Sequence, residues 1–449
     1  MNTCLACARI GARVAAAAAI LCAAGSATAG ELDYQLSLGA GHSDNVNQDP
    51  INEVDQDIAT AGLKFSFDQD SAKLRADVVG DLAYYKYLDD AYDPELVGTV
   101  DASALFALLP DRITWAVSDE FGQALTDPFQ SDTPNNRENI NYFATGPDFI
   151  MGIGSQMRLR VGARYALANY EVTPFDSTTT GGQLALVRIL SDRSSVSLNG
   201  SLEHVEYDEA SLNADFDHSE LFVHYEGEGA RTNLKVDVGY SRLDREVSDD
   251  IESGAVFRVD ASRKVSASSM LLLVAGHEFE TSASLANDFG NVGVETAPGQ
   301  QSAEPYLRDH VSLGWTFNRN LTGLGVMAYW QQNTHEINAS LDQTTTSYSA
   351  TYRREMSPRI SLQFNVGRTG VEYEEPSPSY DELLAGASFS WRLSRNVTLD
   401  VNYDFAVRNS DDPTTDYTEN RFWLAIGFGR GVPRSSRLAP TFGVDSPGN

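Results

Sequence analysis

Charged side chains recur at every second position in several segments of the sequence. The clearest case is Arg158, Arg160 and Arg164, because these cations would form a ladder on one face if their segment were a β-strand. Such a ladder suits an anionic polymer, since each step along it offers another positive charge. The full set of candidate residues carries both signs of charge. It comprises Lys73, Arg75, Asp77, Asp81, Arg158, Arg160, Arg164, Lys235, Asp237, Arg258, Asp260, Arg308, His310, Asp400 and Asp404.

Two interpretations of these charges remain open from sequence. They could line a hydrated channel and set its selectivity for ions or solutes. They could equally close a lumen through lateral salt bridges that only hold the wall together. The three arginines illustrate the choice, because neighbouring Asp and Glu residues could neutralise all of them.

The residue types needed for catalysis or metal binding are scattered. Of the seven histidines, only His218 and His224, near Glu220 and Glu226, approach a dyad. There is no Gly-x-Ser-x-Gly elbow, His-Glu-x-x-His helix, phosphate loop or twelve-residue calcium loop. We therefore predict that the protein is not an enzyme and has no cofactor or metal site.

Composition excludes further classes of protein. The 449 residues are 42% hydrophobic, which argues against disorder, and 33 Lys and Arg stand against 63 Asp and Glu. The formal charge of −30 excludes a basic nucleic-acid-binding domain. Acidic runs in the predicted loops are typical of solvated loops, although they could also bind divalent cations shared with anionic surface glycans.

The first 29 residues have the pattern of a secretory signal peptide. Arg9 and Arg13 precede a short apolar run, and Ala27 and Ala29 supply the small residues before the cleavage site. A lipoprotein anchor at Cys22 is the alternative, but Leu21 stands where a lipobox needs a small residue. All three cysteines lie in this segment, so the predicted mature chain has no disulfide and no thiolate site.

Apolar and polar residues alternate through the rest of the chain. Leu32, Tyr34, Leu36 and Leu38, for example, alternate with polar or small residues, which predicts strands with one apolar face. Such strands fit a soluble sandwich or a membrane barrel. Connections that alternate between short and long favour the barrel.

We therefore predict a single all-β domain, a transmembrane antiparallel up-and-down barrel of about 20 strands, within an even range of 18 to 22. The barrel is predicted at 30–428, followed by a flexible tail at 429–449 that is rich in Gly, Pro and Ser. Both termini fall on the short-turn side, which predicts that both are periplasmic. The long connections at 122–138 and 281–305 are the best candidates for a constriction or plug.

The sequence resembles the family of outer-membrane β-barrel porins that are encoded beside bacterial exopolysaccharide, capsule and exosortase-type gene clusters. The resemblance rests on 41–47, which closes the first predicted strand, on 135–139, which opens a later one, and on the regular hairpin series to residue 428. It implies an outer-membrane conduit for secreted polysaccharide that docks on a periplasmic polysaccharide export protein. It brings no catalytic residues.

The predicted function is an outer-membrane channel of a Gram-negative bacterium for exopolysaccharide or other hydrophilic solutes. A general diffusion porin and a closed structural or adhesive barrel remain the alternatives. The expected partners are outer-membrane lipid and lipopolysaccharide, the barrel assembly machinery and the export protein, with no nucleic acid.

Overall fold

A computed structural model describes residues 30–209, 213–245, 251–280, 304–374 and 376–431. The predicted signal peptide lies outside the described residues, as do most of the predicted tail and nearly all of the predicted loop at 281–305. No helix within the described ranges is long and apolar enough to cross a membrane.

Twenty strands account for most of the described chain, as the sequence predicts. They are β1 (Glu31–Ser43), β2 (Gln56–Asp70), β3 (Leu74–Tyr87), β4 (Glu95–Leu109), β5 (Ile113–Leu125), β6 (Arg137–Ile153), β7 (Met157–Tyr170), β8 (Ser177–Ser191), β9 (Ser194–Tyr207), β10 (Phe216–Glu228), β11 (Thr232–Arg245), β12 (Ile251–Ser266), β13 (Ser269–Glu280), β14 (Tyr306–Arg319), β15 (Thr322–His335), β16 (Gln343–Ser357), β17 (Ile360–Tyr373), β18 (Tyr380–Arg392), β19 (Val397–Ser410) and β20 (Tyr417–Arg430). Single 3₁₀ turns occur at Pro134–Asn136, Ala339–Leu341 and Pro413–Thr415.

Each strand pairs antiparallel with its neighbours in the chain, and β1 pairs with β20 to close the sheet. Closure removes the two free edges that an open sheet would expose. The prediction of an all-β up-and-down barrel with an even number of strands is therefore confirmed.

Connections alternate between two to four residues and five or more along the whole chain. Several strands extend further toward the long connections than the sequence predicts. The connection predicted at 122–138, for example, is only 126–136, because β5 and β6 continue pairing to Leu125 and Arg137. Backbone pairing continues there because the ladder does not depend on the apolar alternation that marks strands in the sequence.

The outward face is apolar across the closure of the barrel. Leu36 on β1 lies opposite Leu63 on β2 and opposite Phe428 on β20. Leu36 and Phe428 are half exposed, and Leu38 is 71% exposed. An exposed apolar belt around a closed barrel is the pattern of a membrane-spanning barrel, because lipid rather than water covers that face.

Outward-facing residues of β2 to β5 pack tightly against one another. Val78 and Ala102 are completely buried, and they belong to a cluster that includes Phe67 and Phe121. Small residues opposite large rings leave no gap in this wall, so a larger side chain at Ala102 has no space to enter.

Candidate functional site

The lumen is the candidate site, because the predicted residues lie on the face opposite the apolar belt. Asp81 lies opposite Lys64, and Asp237 lies opposite Arg258, in register positions that share the face of Gln35 rather than that of Leu36. The same alternation places the other candidates of the strands on the inward face. Lys73 is the exception, because β3 begins at Leu74 and Lys73 lies in the turn before it.

The three arginines of β7 fall into two groups. The Arg164 guanidinium donates to both carboxylate oxygens of Asp148, at 3.0 and 2.8 Å, and Gln183 donates to the same carboxylate at 3.1 Å. A bidentate pair of this kind fixes the side chain and cancels its charge. Arg164 therefore supports the interpretation in which inward charges form salt bridges that hold the wall together.

Arg158 and Arg160 are exposed, and neither makes an ion pair with any described residue. Their register neighbours are Gly152 and Val187 for Arg158, and Ile150 and Ala185 for Arg160. No carboxylate lies opposite either residue, so no neighbouring acid compensates the two positive charges on the face of the lumen. These two cations are what remains of the predicted ladder.

Arg258 stands at the centre of a separate network. It donates to Glu220 at 2.7 Å and to Glu278, and Asp237 lies 3.7 Å from it. His224 in turn lies 2.6 Å from Asp237. The Glu220 side chain is only 7% exposed and that of Arg258 is 29% exposed, so these charges stabilise one another and are largely engaged within the wall.

The remaining candidates have mixed surroundings. Arg308 is 1% exposed and lies 3.4 Å from Glu280, within the wall. Asp400 accepts from Ser390 at 2.6 Å and from Thr398 at 3.2 Å. Six others have the following pairs or register neighbours. Asp81 binds Lys64 at 2.9 Å, Arg75 lies 3.3 Å from Asp70, Lys235 faces Asp260 in the register, Asp404 faces Arg421, and His310 faces Gly276 and Gln331.

Neutral polar side chains cover the middle of the inward face on β16 to β18, and on β19 Asn402 stands between Asp400 and Asp404. Ser347 and Thr369 share a hydrogen bond of 3.0 Å, and Gln35 donates to Thr398 at 2.8 Å. Further inward amides and hydroxyls of this wall are Ser349, Thr351, Gln363, Asn365, Ser388 and Asn402. The sequence prediction missed this wall because it searched for charge, although Ser, Thr, Asn and Gln alternate there with the same period of two.

The β5–β6 connection crosses the lumen. Arg408 on β19 donates to the backbone carbonyls of Phe129 at 3.2 Å and Gln130 at 3.3 Å. The Phe129 ring packs edge-on against Tyr373 of β17, with 5.0 Å between centroids. Five strands separate β5 from β19 by the shorter way around the wall, so these contacts bridge the interior. We call residues 126–136 the crossing loop.

Both ends of the crossing loop are held. At its root Arg137 donates to Asp132 at 2.5 Å, and the Asn136 side chain binds Asp127 and Ser131 backbone oxygens. At its far side the Arg408 guanidinium stacks 3.7 Å above the Tyr380 ring. This loop lies within the constriction predicted at 122–138, whereas the loop predicted at 281–305 is almost wholly outside the described residues. Arg408 was not singled out from sequence, although it continues the inward series of Asp400 and Asp404.

The nearest approach to a catalytic arrangement does not form a triad. His218 Nε2 lies 2.7 Å from the Ser241 hydroxyl, but its Nδ1 is 3.9 Å from Glu203, which is too far for a hydrogen bond. Ser241 is completely buried, so its oxygen cannot reach a substrate. No group of three His, Cys, Asp or Glu residues able to hold a metal occurs in the described part of the chain.

Two acidic side chains of the long connections are engaged in local turns. Backbone N–H groups of Asn52 and Ile51 donate to Asp49 at 2.7 and 2.8 Å and lower the pKa of that carboxyl. The hydroxyl and the backbone N–H of Thr414 lower the pKa of Asp412 in the same way. These carboxylates organise their loops, which favours the solvated-loop interpretation.

No protein-family model and no curated protein matches the chain. Several solved structures are similar at low identity. The FrpB iron transporter from Neisseria meningitidis (F5-1 variant) is 8% identical with a TM-score of 0.46, over 88% of this chain and 82% of that one. The siderophore receptor PirA from Pseudomonas aeruginosa is 11% identical with a TM-score of 0.42, over 89% and 80%. OccK2 (OpdF) from the same organism is 10% identical with a TM-score of 0.38, over 89% and 98%. Scores this low support neither fold nor function, both of which rest on the geometry of this chain.

Proposed function

We propose that the protein is an outer-membrane channel that conducts hydrophilic anions, and that its physiological cargo is an anionic exopolysaccharide. The observation that carries the proposal is the pair Arg158 and Arg160, which are exposed inside a closed barrel and have no acidic partner among the described residues. A low-dielectric wall strengthens the attraction of such charges for an anion.

The neutral polar side chains in the middle of β16 to β18 support a saccharide as cargo. Hydroxyl and amide groups both donate and accept hydrogen bonds, which matches the many hydroxyl groups of a sugar chain. Residues such as Gln363 and Asn365 provide this surface without a charge that would hold the chain in place. A polymer could therefore slide along that wall while the arginines attract its acidic groups.

The orientation belongs to the same proposal. Short turns of bacterial outer-membrane barrels face the periplasm and long connections face outward. Arg158 and Arg160 then lie at the periplasmic entrance, close to the β6–β7 turn, and the crossing loop lies toward the exit. Both termini would be periplasmic, where an export protein could deliver the polymer.

The reversal potential across a planar bilayer under a salt gradient tests the anion preference. We expect the double variant Arg158→Gln with Arg160→Gln to lose most of the preference for anions, because the two uncompensated cations are gone. The control is Arg188→Gln with Arg263→Gln, which removes the same charge from the outer surface and should leave the preference unchanged. Equal effects in both variants, or an unselective wild type, would overturn the proposal.

An export channel and a general diffusion porin differ in whether a polysaccharide enters the lumen. Addition of an anionic polysaccharide to the short-turn side should block the wild-type current if the polymer enters the lumen. Conduction of small anions that the polymer leaves unchanged would support the diffusion porin instead.

A further inference from the structure

Five arginines occupy the outward face where strands end at the short turns. We call them the arginine belt: Arg188 on β8, Arg263 on β12, Arg319 on β14, Arg354 on β16 and Arg430 on β20. All five are exposed, and each follows apolar residues on the same face of its strand. Arg319, for example, continues the outward series Leu313, Trp315 and Phe317.

No residue opposite the belt carries a charge. The register neighbours of its members are Met157, Val196, Thr232, Leu271, Thr322, Leu362 and Tyr34. Within the described ranges the belt makes no ion pair, and its one side-chain hydrogen bond runs from Arg354 to Thr322. Five cations therefore share one rim of the outer surface with no acid to compensate them.

The opposite rim of the outer surface is different. Near the long connections, the outward histidines His42 and His204 and the outward Arg368 are paired with acids of the neighbouring strand, whereas Lys86 on β3 lies opposite Ala59 and makes no ion pair with a described residue. His42 lies 2.9 Å from Asp57, and His204 lies 2.9 Å from Asp217. Arg368 likewise lies 3.0 Å from Asp381. Among the described residues, five of the six outward cations without an ion pair thus lie at the short-turn rim, and Lys86 is the sixth.

We infer that the arginine belt binds the phosphate groups of anionic phospholipid, of the phosphatidylglycerol type, in the leaflet at the short-turn side. The belt lies where the apolar surface ends, which is the depth of the lipid headgroups. An arginine there keeps its apolar stem against the acyl chains and its guanidinium among the phosphates. Guanidinium groups bind phosphate with two parallel hydrogen bonds.

Arg319 and Arg354 form the strongest part of the belt. Both lie opposite Thr322, on the strands that flank β15, so they stand about 10 Å apart across two strand spacings. Side chains of this length can converge on one phosphate between them. Trp315 lies on the same face and donates its indole N–H to Ser269 at 2.7 Å, as expected for an aromatic ring at the membrane interface.

Quenching of tryptophan fluorescence by brominated lipid tests this inference. The protein is reconstituted with brominated phosphatidylglycerol or brominated phosphatidylcholine, and the ratio of the two association constants is measured. We expect the wild type to prefer phosphatidylglycerol, and the preference to fall roughly fivefold or more when all five belt arginines become Gln. The belt variant with five Lys residues should retain part of the preference, because the charge is preserved while the paired hydrogen bonds of the guanidinium groups are lost.

The matched control replaces Arg112, Arg193, Arg231, Arg359 and Arg395, which lie in the short turns, with Gln. It loses the same charge and should keep the lipid preference. A wild type without preference, or a control that loses as much as the belt variant, would overturn the inference. If the variant with all five belt arginines replaced by Gln does not fold, the double variant Arg319→Gln with Arg354→Gln serves the same comparison. Anion selectivity should be unaffected, so this inference and the channel proposal can fail separately.

Discussion

At the scale of the residue, the inward charges divide by whether a partner lies within reach. Arg164 and Arg258 are held by carboxylates, whereas Arg158 and Arg160 are not. Sequence could place all four on one face, because alternation fixes the face of a strand residue. It could not tell paired from unpaired charges, since Asp148 reaches Arg164 only through the register of β6 against β7.

Replacement of Arg258 tests the wall network. Arg258→Gln leaves Glu220, Glu278 and Asp237 without their cation, and removal of one partner from a buried charge network costs about 3–5 kcal/mol. We expect guanidinium unfolding from lipid vesicles to show a loss of that order. Arg75→Gln is the control, because its partner Asp70 is highly exposed and such pairs contribute about 0–1 kcal/mol. Similar losses in the two variants would contradict the network.

Asp49 gives a residue-scale prediction for pH. Its pKa is lowered in the folded loop, so the charged form stabilises the turn above the ordinary pKa of 3.8, and this contribution is lost as pH falls through the lowered value. Protection of the Ile51 and Asn52 amides from hydrogen exchange, corrected for intrinsic rates, should be constant from pH 7 to 5 and should disappear in stronger acid. Asp49→Ala should remove it at neutral pH, while Glu53→Ala should not. Loss of protection already at pH 5 would refute the assignment.

At the scale of the element, the strands follow from local pattern and the crossing loop does not. A period of two predicts β1 through β20 because side-chain direction is a local property of the backbone. The path of residues 126–136 depends instead on Arg408 and Tyr373, which are more than two hundred residues away in sequence. The length of this connection was the only signal of its role.

A designed disulfide tests the position of the crossing loop. The Ser131 hydroxyl lies 3.4 Å from the Thr415 carbonyl, and no native cysteine follows Cys22 to compete for pairing. Ser131→Cys with Thr415→Cys should form a bond under oxidation, seen as a mobility shift after mild proteolysis, and should leave the mean conductance near that of the wild type. Ser131→Cys with Ser347→Cys is the control and should not cross-link. If the first pair does not cross-link, or if both pairs cross-link equally, the position of the crossing loop against Thr415 is wrong.

At the scale of the whole molecule, charge is separated along the barrel. The ten long connections hold many Asp and Glu residues and not one Lys or Arg. The nine short turns contain Lys73, Arg112, Arg193, Arg231, Arg359 and Arg395. An anion entering at the short-turn mouth is attracted there and repelled at the other mouth, which favours entry from one side.

The most direct test of the channel is the conductance of the refolded wild-type protein in a planar bilayer, with and without an anionic polysaccharide. We predict steady steps of current that the polymer blocks when it is added at the short-turn side. The block should be weaker when the polymer is added at the side of the acidic long connections. A barrel that inserts into the bilayer and never conducts would contradict the account.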